Sequence, residues 1–256
     1  MFETLEIETD GPIGRLTLNS PEKLNSLSRQ RLIDLIEAAR WFDKQPEIKV
    51  VIVAGQGRAF SAGADLSGFG GSSNMSPREG ADLGRRMADA LEEMKAISIA
   101  AIQGWCVGGA LVLAAACDLR IATTTARFSI PEIDLGIPLA WGGIPRLVRE
   151  IGPALTKELV ITCRPFDAAE AKSAGFLNRI VEPDQLMVEA NGLAQEVAKR
   201  PTNPVQITKR HVNAVTSQMV GTMRAWSDAD GLLASFGDPE SEAARQAYLK
   251  ERGHKS

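Results

Sequence analysis

Apolar positions along the chain switch between two spacings. Residues 5–7 and 15–19 flank Asp10-Gly11-Pro12, a turn signal, so the chain is expected to open with a β-hairpin. Ser28 stands where a helix cap belongs. After it, Leu32, Leu35, Ile36, Ala39 and Phe42 recur at the three-and-four spacing of one buried helical face. Lys49-Val-Val-Ile-Val-Ala54 is a nearly continuous apolar run, as in a strand covered on both faces. Gly-rich chain follows to about Asn74. Ser76-Pro77-Arg78-Glu79 then carries the Ser and Glu of a capping box with Pro at the first helical position, and predicts helix to about Met94. Residues 97–102 read as another buried strand, 110–117 as an apolar helix after a turn, and 119–122 as a short strand. Beyond these, Gly143-Ile-Pro145 opens a helix that Gly152 closes, and 166–170 opens one ended by Ala174-Gly175. Segments 185–199, 205–216 and 241–251 are helical by pattern.

Strand and helix alternate to about Ile130, and nearly all helix follows. This predicts an α/β core over residues 1–200 and a helical region over 201–256, divided near Pro201. A helical arm too short to hold its own core is expected to dock on the body or on a neighbouring subunit.

Composition narrows the field. With 44% hydrophobic and 24% charged residues, the 256-residue chain has an ordinary globular balance. A net charge of −3 gives no bulk attraction to nucleic acid, and 5% aromatic content argues against stacking platforms. No two of Cys106, Cys117 and Cys163 lie at metal-ligand spacing, and the only histidines are His211 and His254, so no metal site is expected. An odd number of cysteines in apolar surroundings reads as reduced core thiols of a cytoplasmic protein. The start MFETLEIETDG is acidic and lacks the apolar run of a secretory signal. Segment 96–117 is uncharged, long enough to span a bilayer, and contains Gly104-x-x-x-Gly108. Paired Gly108-Gly109 would weaken a continuous helix at its middle, however, and the turn at Gln103-Gly104 favours strand, turn and helix over a membrane span.

Two glycine-bearing turns follow buried strands: Gly55-Gln-Gly-Arg58-Ala-Phe60-Ser61-Ala62-Gly63-Ala64-Asp65-Leu66, and Gly104-Trp105-Cys106-Val107-Gly108-Gly109-Ala110. The first begins like a dinucleotide fingerprint, but Phe60 occupies the third glycine position and no Gly-Lys-Ser/Thr of a phosphate loop appears. The second leads into a helix whose first amides have no intrahelical acceptor, so the Gly109 N–H is a ready donor to an oxyanion. Should the Ala64 N–H come alongside, the pair could hold a carbonyl oxygen. Spacing alone equally allows glycines that serve only close packing. The third element is Arg127 to Pro138, where Glu132 stands among apolar neighbours. Half-buried there, its carboxyl would titrate near neutrality and suit proton transfer; a surface carboxylate capping a turn is the alternative.

Taken in order, these elements resemble the crotonase superfamily, the enoyl-CoA hydratase/isomerase family. Asn19-Ser-Pro21-Glu-Lys23-Leu24-Asn25-Ser26-Leu27 is similar to its N-terminal signature, 59–66 to its first oxyanion turn, 104–118 to its second, and 166–181 to a later Ala-rich helix. The resemblance covers most of the chain. It implies a spiral of ββα repeats with a C-terminal helical trimerisation region, and so a homotrimer or dimer of trimers. It implies an acyl-CoA substrate, with coenzyme A part of that substrate and no separate cofactor. The oxyanion amides map onto Ala64 and Gly109, the adenine-contacting turn onto Ser61-Ala62, and positions near the CoA phosphates onto Lys23 and Arg58. Asp65, Leu66, Gly108, Val112 and Pro131 fall among the implied substrate-contacting positions. Trp105 and Trp141 read as pocket wall or ordinary core.

One departure bears on the reaction. Hydratases of the family use two glutamates; Glu132 matches one, and Val112, three residues after Gly109, replaces the other. Two carboxylates hold and deprotonate a water well, whereas a double-bond shift needs one base at C2 and C4. The expectation is therefore an enoyl-CoA isomerase with Glu132 as single acid/base. The alternatives are a 2-enoyl-CoA hydratase and a non-catalytic acyl-CoA-binding protein. Asp134 is a candidate second carboxylate, facing the same way as Glu132 if the segment is extended. The Gly70–Met75 loop, with Arg86 and Met87 on the helix after it, is a candidate lining for the acyl pocket.

Overall fold

The computed structural model describes residues 2–65, 75–225 and 227–251, with Arg224 described in its backbone only. Leu66, and most of the loop expected to line the acyl pocket, lie outside the described residues.

The hairpin forms as read: β1 (Leu5–Asp10) pairs antiparallel with β2 (Ile13–Leu18) across Gly11-Pro12. Ser28 caps α1 (Arg29–Phe42) by accepting from the Arg31 amide. β3 (Val50–Gly55) then enters parallel to β2. The full capping box is present at α2 (Pro77–Glu93), and β4 (Ile97–Ile102) adds parallel to β3. β5 (Trp105–Val107), α3 (Gly109–Ala116), β6 (Leu119–Thr123), β7 (Arg127–Ser129) and α4 (Gly143–Thr162) follow. β8 (Phe166–Asp167), α5 (Ala168–Ser173), β9 (Arg179–Val181) and α6 (Leu186–Ala198) complete the sheet-bearing part.

Among the described residues, one sheet has six strands in the order β1-β2-β3-β4-β6-β9, parallel beyond the opening hairpin; the other has three, in the order β5-β7-β8. The apolar run in β3 explains itself in this arrangement. Its residues alternate between cores: Val51 and Val53 pack with α1, α2 and α3, while Val50, Ile52 and Ala54 pack with Leu186, Ala190 and Ala194 of α6. The uncharged 96–117 segment is β4, a turn, β5 and α3, and no helix among the described residues is long and apolar enough to cross a membrane. Gly152 does end regular helix, with φ 75° and ψ 164°. Helical structure resumes at once through Pro153, so α4 is two segments joined at a kink.

Strands β5, β7, β8 and β9 carry no periodic signal at two or three residues each. The C-terminal part is helical, with α7 (Thr202–Met219), α8 (Asp228–Phe236) and α9 (Pro239–Glu251). Buried Lys209 ties α7 to the body, donating to the Ala96 carbonyl at 3.0 Å and to Asp118 Oδ2 at 2.7 Å. Arg78 of α2 pairs with Asp230 of α8 at 2.9 Å. The outer side of α7 exposes Ile207, Val212, Val215 and Met219.

Candidate active site

The first turn is built on side-chain-to-backbone hydrogen bonds. Asn25, fully buried, donates to the carbonyls of Gln56 and Ala59 at 2.9 Å each and accepts from the Ser20 amide at 2.9 Å. Buried Arg31 holds the same loop through the Ser26 carbonyl at 2.6 Å and Ser20 Oγ at 2.5 Å. Ser61 Oγ donates to the Asn25 carbonyl at 2.8 Å and accepts from the Gly63 amide at 3.1 Å. The segment is thereby fixed from both sides.

Its direction follows from the bonding pattern. Ser61 faces the second turn, with its amide on the Trp105 carbonyl and its own carbonyl accepting from Val107. Ala62 faces the other way, donating to the Leu24 carbonyl. Regular alternation would turn Gly63 back, but its φ of +82° breaks the pattern and its carbonyl accepts from Leu27 at 2.7 Å. Asp65 N also bonds Leu27, so Ala64 sits in a parallel bridge to Leu27 with its own N–H facing away from it. Ser61 forms an isolated parallel bridge with Cys106, which sets the first turn alongside the second. A Cβ placed on Gly63 would overlap the Val107 carbonyl and lie 3.5 Å from the Gly109 nitrogen, so the two turns touch. Among the described residues, neither the Ala64 nor the Gly109 amide has a hydrogen-bond acceptor.

The second turn is built sterically. The Gly108 amide donates to the Ser129 carbonyl at 2.8 Å, binding the turn to β7, and α3 begins at Gly109. A Cβ on Gly108 would overlap Glu132 Oε1, and one on Gly109 would overlap the Trp141 indole. The acid is therefore one residue from the free Gly109 amide. Glu132 as a residue is partly exposed, but its Oε2 is buried and has no partner among the described residues. Burial pushes its pKa up to about 7, against a smaller lowering by a backbone hydrogen bond.

Ala64, Gly108, Gly109, Glu132 and Trp141 are thus brought together, with Pro131 buried beside Glu132. Val112 is buried on α3, where a Cβ on Gly143 would come within 2.9 Å of it. Lys23 and Arg58 are exposed on turns that meet where Gly57 packs on Pro21. Ser61 is corrected as a ligand contact: it is fully buried with its hydroxyl spent internally, which leaves Ala62, half-buried, as the accessible member of that pair. Asp65 is half-buried, with its amide on Leu27.

Asp134 is also corrected. Residues 132–136 form a turn, with Ile137 N donating back to the Glu132 carbonyl at 2.9 Å, so Asp134 does not share Glu132's direction. It lies exposed, next to Cys163. Trp105 is 45% exposed and so is not core; Trp141 is wedged between Gly84 and Gly109. Met87 is fully buried in the main core and Arg86 is exposed. Asn25 and Arg31 went unassigned in the sequence. Asn25 had a signal, a lone amide between Leu24 and Leu27; Arg31 had none, since arginine on a helix ordinarily faces solvent.

Two amides with no acceptor among the described residues, on turns in contact, stand near a carboxyl whose pKa burial raises, an arrangement suited to holding an enolate. Similarity to known proteins agrees. The family model for enoyl-CoA hydratase/isomerase matches residues 8–255. A probable enoyl-CoA hydratase of Mycobacterium tuberculosis is 36% identical, over 98% of this chain and 96% of that protein. The crotonyl-CoA hydratase of Syntrophomonas wolfei is 31% identical, over 98% and 96%. The crystal structure of an enoyl-CoA hydratase/isomerase from Pseudoalteromonas atlantica superposes with a TM-score of 0.87 at 26% identity, covering 97% of this chain and 98% of that one. The chain belongs to the enoyl-CoA hydratase/isomerase family, the crotonase superfamily, and is an enzyme acting on CoA thioesters.

Proposed function

We propose that the enzyme shifts the double bond of a 3-enoyl-CoA into conjugation, with Glu132 as the single acid/base. The thioester oxygen accepts from the Ala64 and Gly109 amides. The Glu132 carboxylate removes a proton from C2, the electron pair spreads over the thioester and the double bond as a dienolate, and the same carboxyl returns the proton at C4. Double bond and charge rearrange with no net gain or loss of atoms. One oxyanion donor lowers such a barrier by about 3 kcal/mol, and a placed acid/base contributes about 10²–10⁴-fold. The observation that carries this reading is the Glu132 carboxyl against Gly108, pushed up to about 7 by burial, with buried, apolar Val112 at the α3 position where a second glutamate would stand. A pKa there keeps both proton-accepting and proton-donating forms populated at neutral pH.

Hydration of a 2-enoyl-CoA is the second reading, favoured by the names of the relatives above. Glu132 would then both deprotonate water and protonate C2. Lys23 and Arg58, exposed on adjoining turns, suit CoA phosphates, and Ala62 suits the adenine. Helices α7, α8 and α9 and the apolar face of α7 suit a homotrimer or dimer of trimers, checked by sedimentation. Three buried free thiols suit the reducing cytoplasm. Supplying a 3-enoyl-CoA and following conjugated-thioester absorbance tests the main reading. A rise in wild type that Glu132→Gln loses supports it; no rise, with absorbance falling from a 2-enoyl-CoA, replaces it with hydration.

A further inference from the structure

The amide of Gly109 is held in place from a distance. Trp141 has φ +62°, a left-handed backbone that an L-residue adopts only when its surroundings impose it. Its indole fills the slot between α2 and the start of α3: Cβ atoms on either Gly84 or Gly109 would overlap it. Only glycine at both positions admits the ring, and the ring in turn backs the first residue of α3.

Two groups impose the corner. Arg146, fully buried, donates through Nη1 to the carbonyls of Trp141 (3.4 Å) and Gly142 (3.3 Å), and through Nη2 to Asp89 (2.9 Å) and Glu92 (2.5 Å) of α2. Asp228, the first residue of α8, accepts from the Gly142 amide at 2.8 Å. The corner is thus tied to α2 through Arg146 and to the C-terminal helices through Asp228. Neither side chain is among those that contact Glu132 or the two free amides.

We infer that Arg146 and Asp228 are positioning residues that lock the Trp141–Gly142 corner and, through the indole, aim the Gly109 amide at the thioester oxygen. This rests on the oxyanion-hole reading above. A donor displaced by about an ångström loses much of its hold on a developing charge, so the loss appears in turnover rather than in binding.

The test reads the thioester directly. The carbonyl stretch of a bound, carbonyl-13C-labelled acyl-CoA falls in frequency as the hole polarises it, with or without turnover. Asp228→Ala is expected to reduce that shift and to lower kcat about tenfold, with KM changed less than about threefold. Asp228→Asn, which keeps an acceptor for Gly142, is expected to recover most of both. Gly84→Ala is a second route that suits a helix: its methyl displaces the indole and should reduce the shift in the same direction. Asp230→Ala loosens the exposed tie between α8 and α2 and should leave both readouts unchanged. A full shift and full kcat in folded Asp228→Ala and Gly84→Ala would overturn the inference, as would an equal loss in Asp230→Ala. Absence of any shift in the wild type would instead defeat the oxyanion-hole reading itself.

Discussion

The two turns offer the same group, a free backbone N–H, and hold it by opposite means. The Ala64 turn is a polar scaffold: Asn25, Arg31 and Ser61 satisfy the loop carbonyls and amides one by one, and Gly63 makes the single reversal that aims Ala64. The Gly109 turn makes few side-chain hydrogen bonds of its own. It is placed by contact, with Glu132 against one glycine and Trp141 against the next. A hydrogen-bonded scaffold fails by leaving buried polar groups unpaired, which costs stability. A contact-built site fails by displacement, which costs turnover first.

The largest expected effect removes a donor while leaving its partner in place. Ala64→Pro deletes the N–H and should lower kcat about 10²–10³-fold in a steady-state assay, with circular dichroism unchanged. An undiminished rate would show that the first turn contributes shape alone. Next, Asn25→Ala strips the scaffold of its central amide and leaves two carbonyls and one amide unpaired. Chemical denaturation should show a loss of about 2–3 kcal/mol, well above the loss for Asp228→Ala; comparable losses would erase the contrast between the turns.

The smallest effect concerns the acid between them. Glu132 binds its proton more tightly folded, with a pKa of about 7, than at the ordinary value of 4.5. Its contribution to stability is therefore complete below pH 4.5 and is lost as pH rises through about 7. The wild type should lose about 2 kcal/mol across that window that Glu132→Gln retains, by denaturation at pH 5 and pH 8. Equal slopes in the two proteins would place the Glu132 carboxyl in water. As a base, the same group should make kcat/KM rise with pH to a plateau above about 7.

The contrast also governs what could be read in the chain beforehand. Long elements were legible because burial imposes a period: the α1 stripe, the capping box at Ser76 and the doubly buried β3 all formed. Glu132 and the two glycine turns stand out in the sequence as candidates because glycine turns after strands and a carboxylate in an apolar run are local patterns. The clamps were not. Arg31 and Arg146 are arginines on helices, indistinguishable in sequence from solvated ones, and only tertiary packing buries them. Asp134 faces the way of Glu132 only in an extended segment, a condition the sequence leaves open, and the backbone bonds after Pro131 close a turn instead. Helix α8, which carries Asp228, went unread because its nine residues show only a weak apolar face.

Exchange at C2 isolates the step shared by both readings of the reaction. With a 3-enoyl-CoA in deuterated buffer near pH 8, NMR should show the wild type replacing C2 hydrogens with deuterium, and Glu132→Gln leaving them in place. Exchange that persists at the wild-type rate without the Glu132 carboxylate would contradict enolate formation by this acid between these two amides.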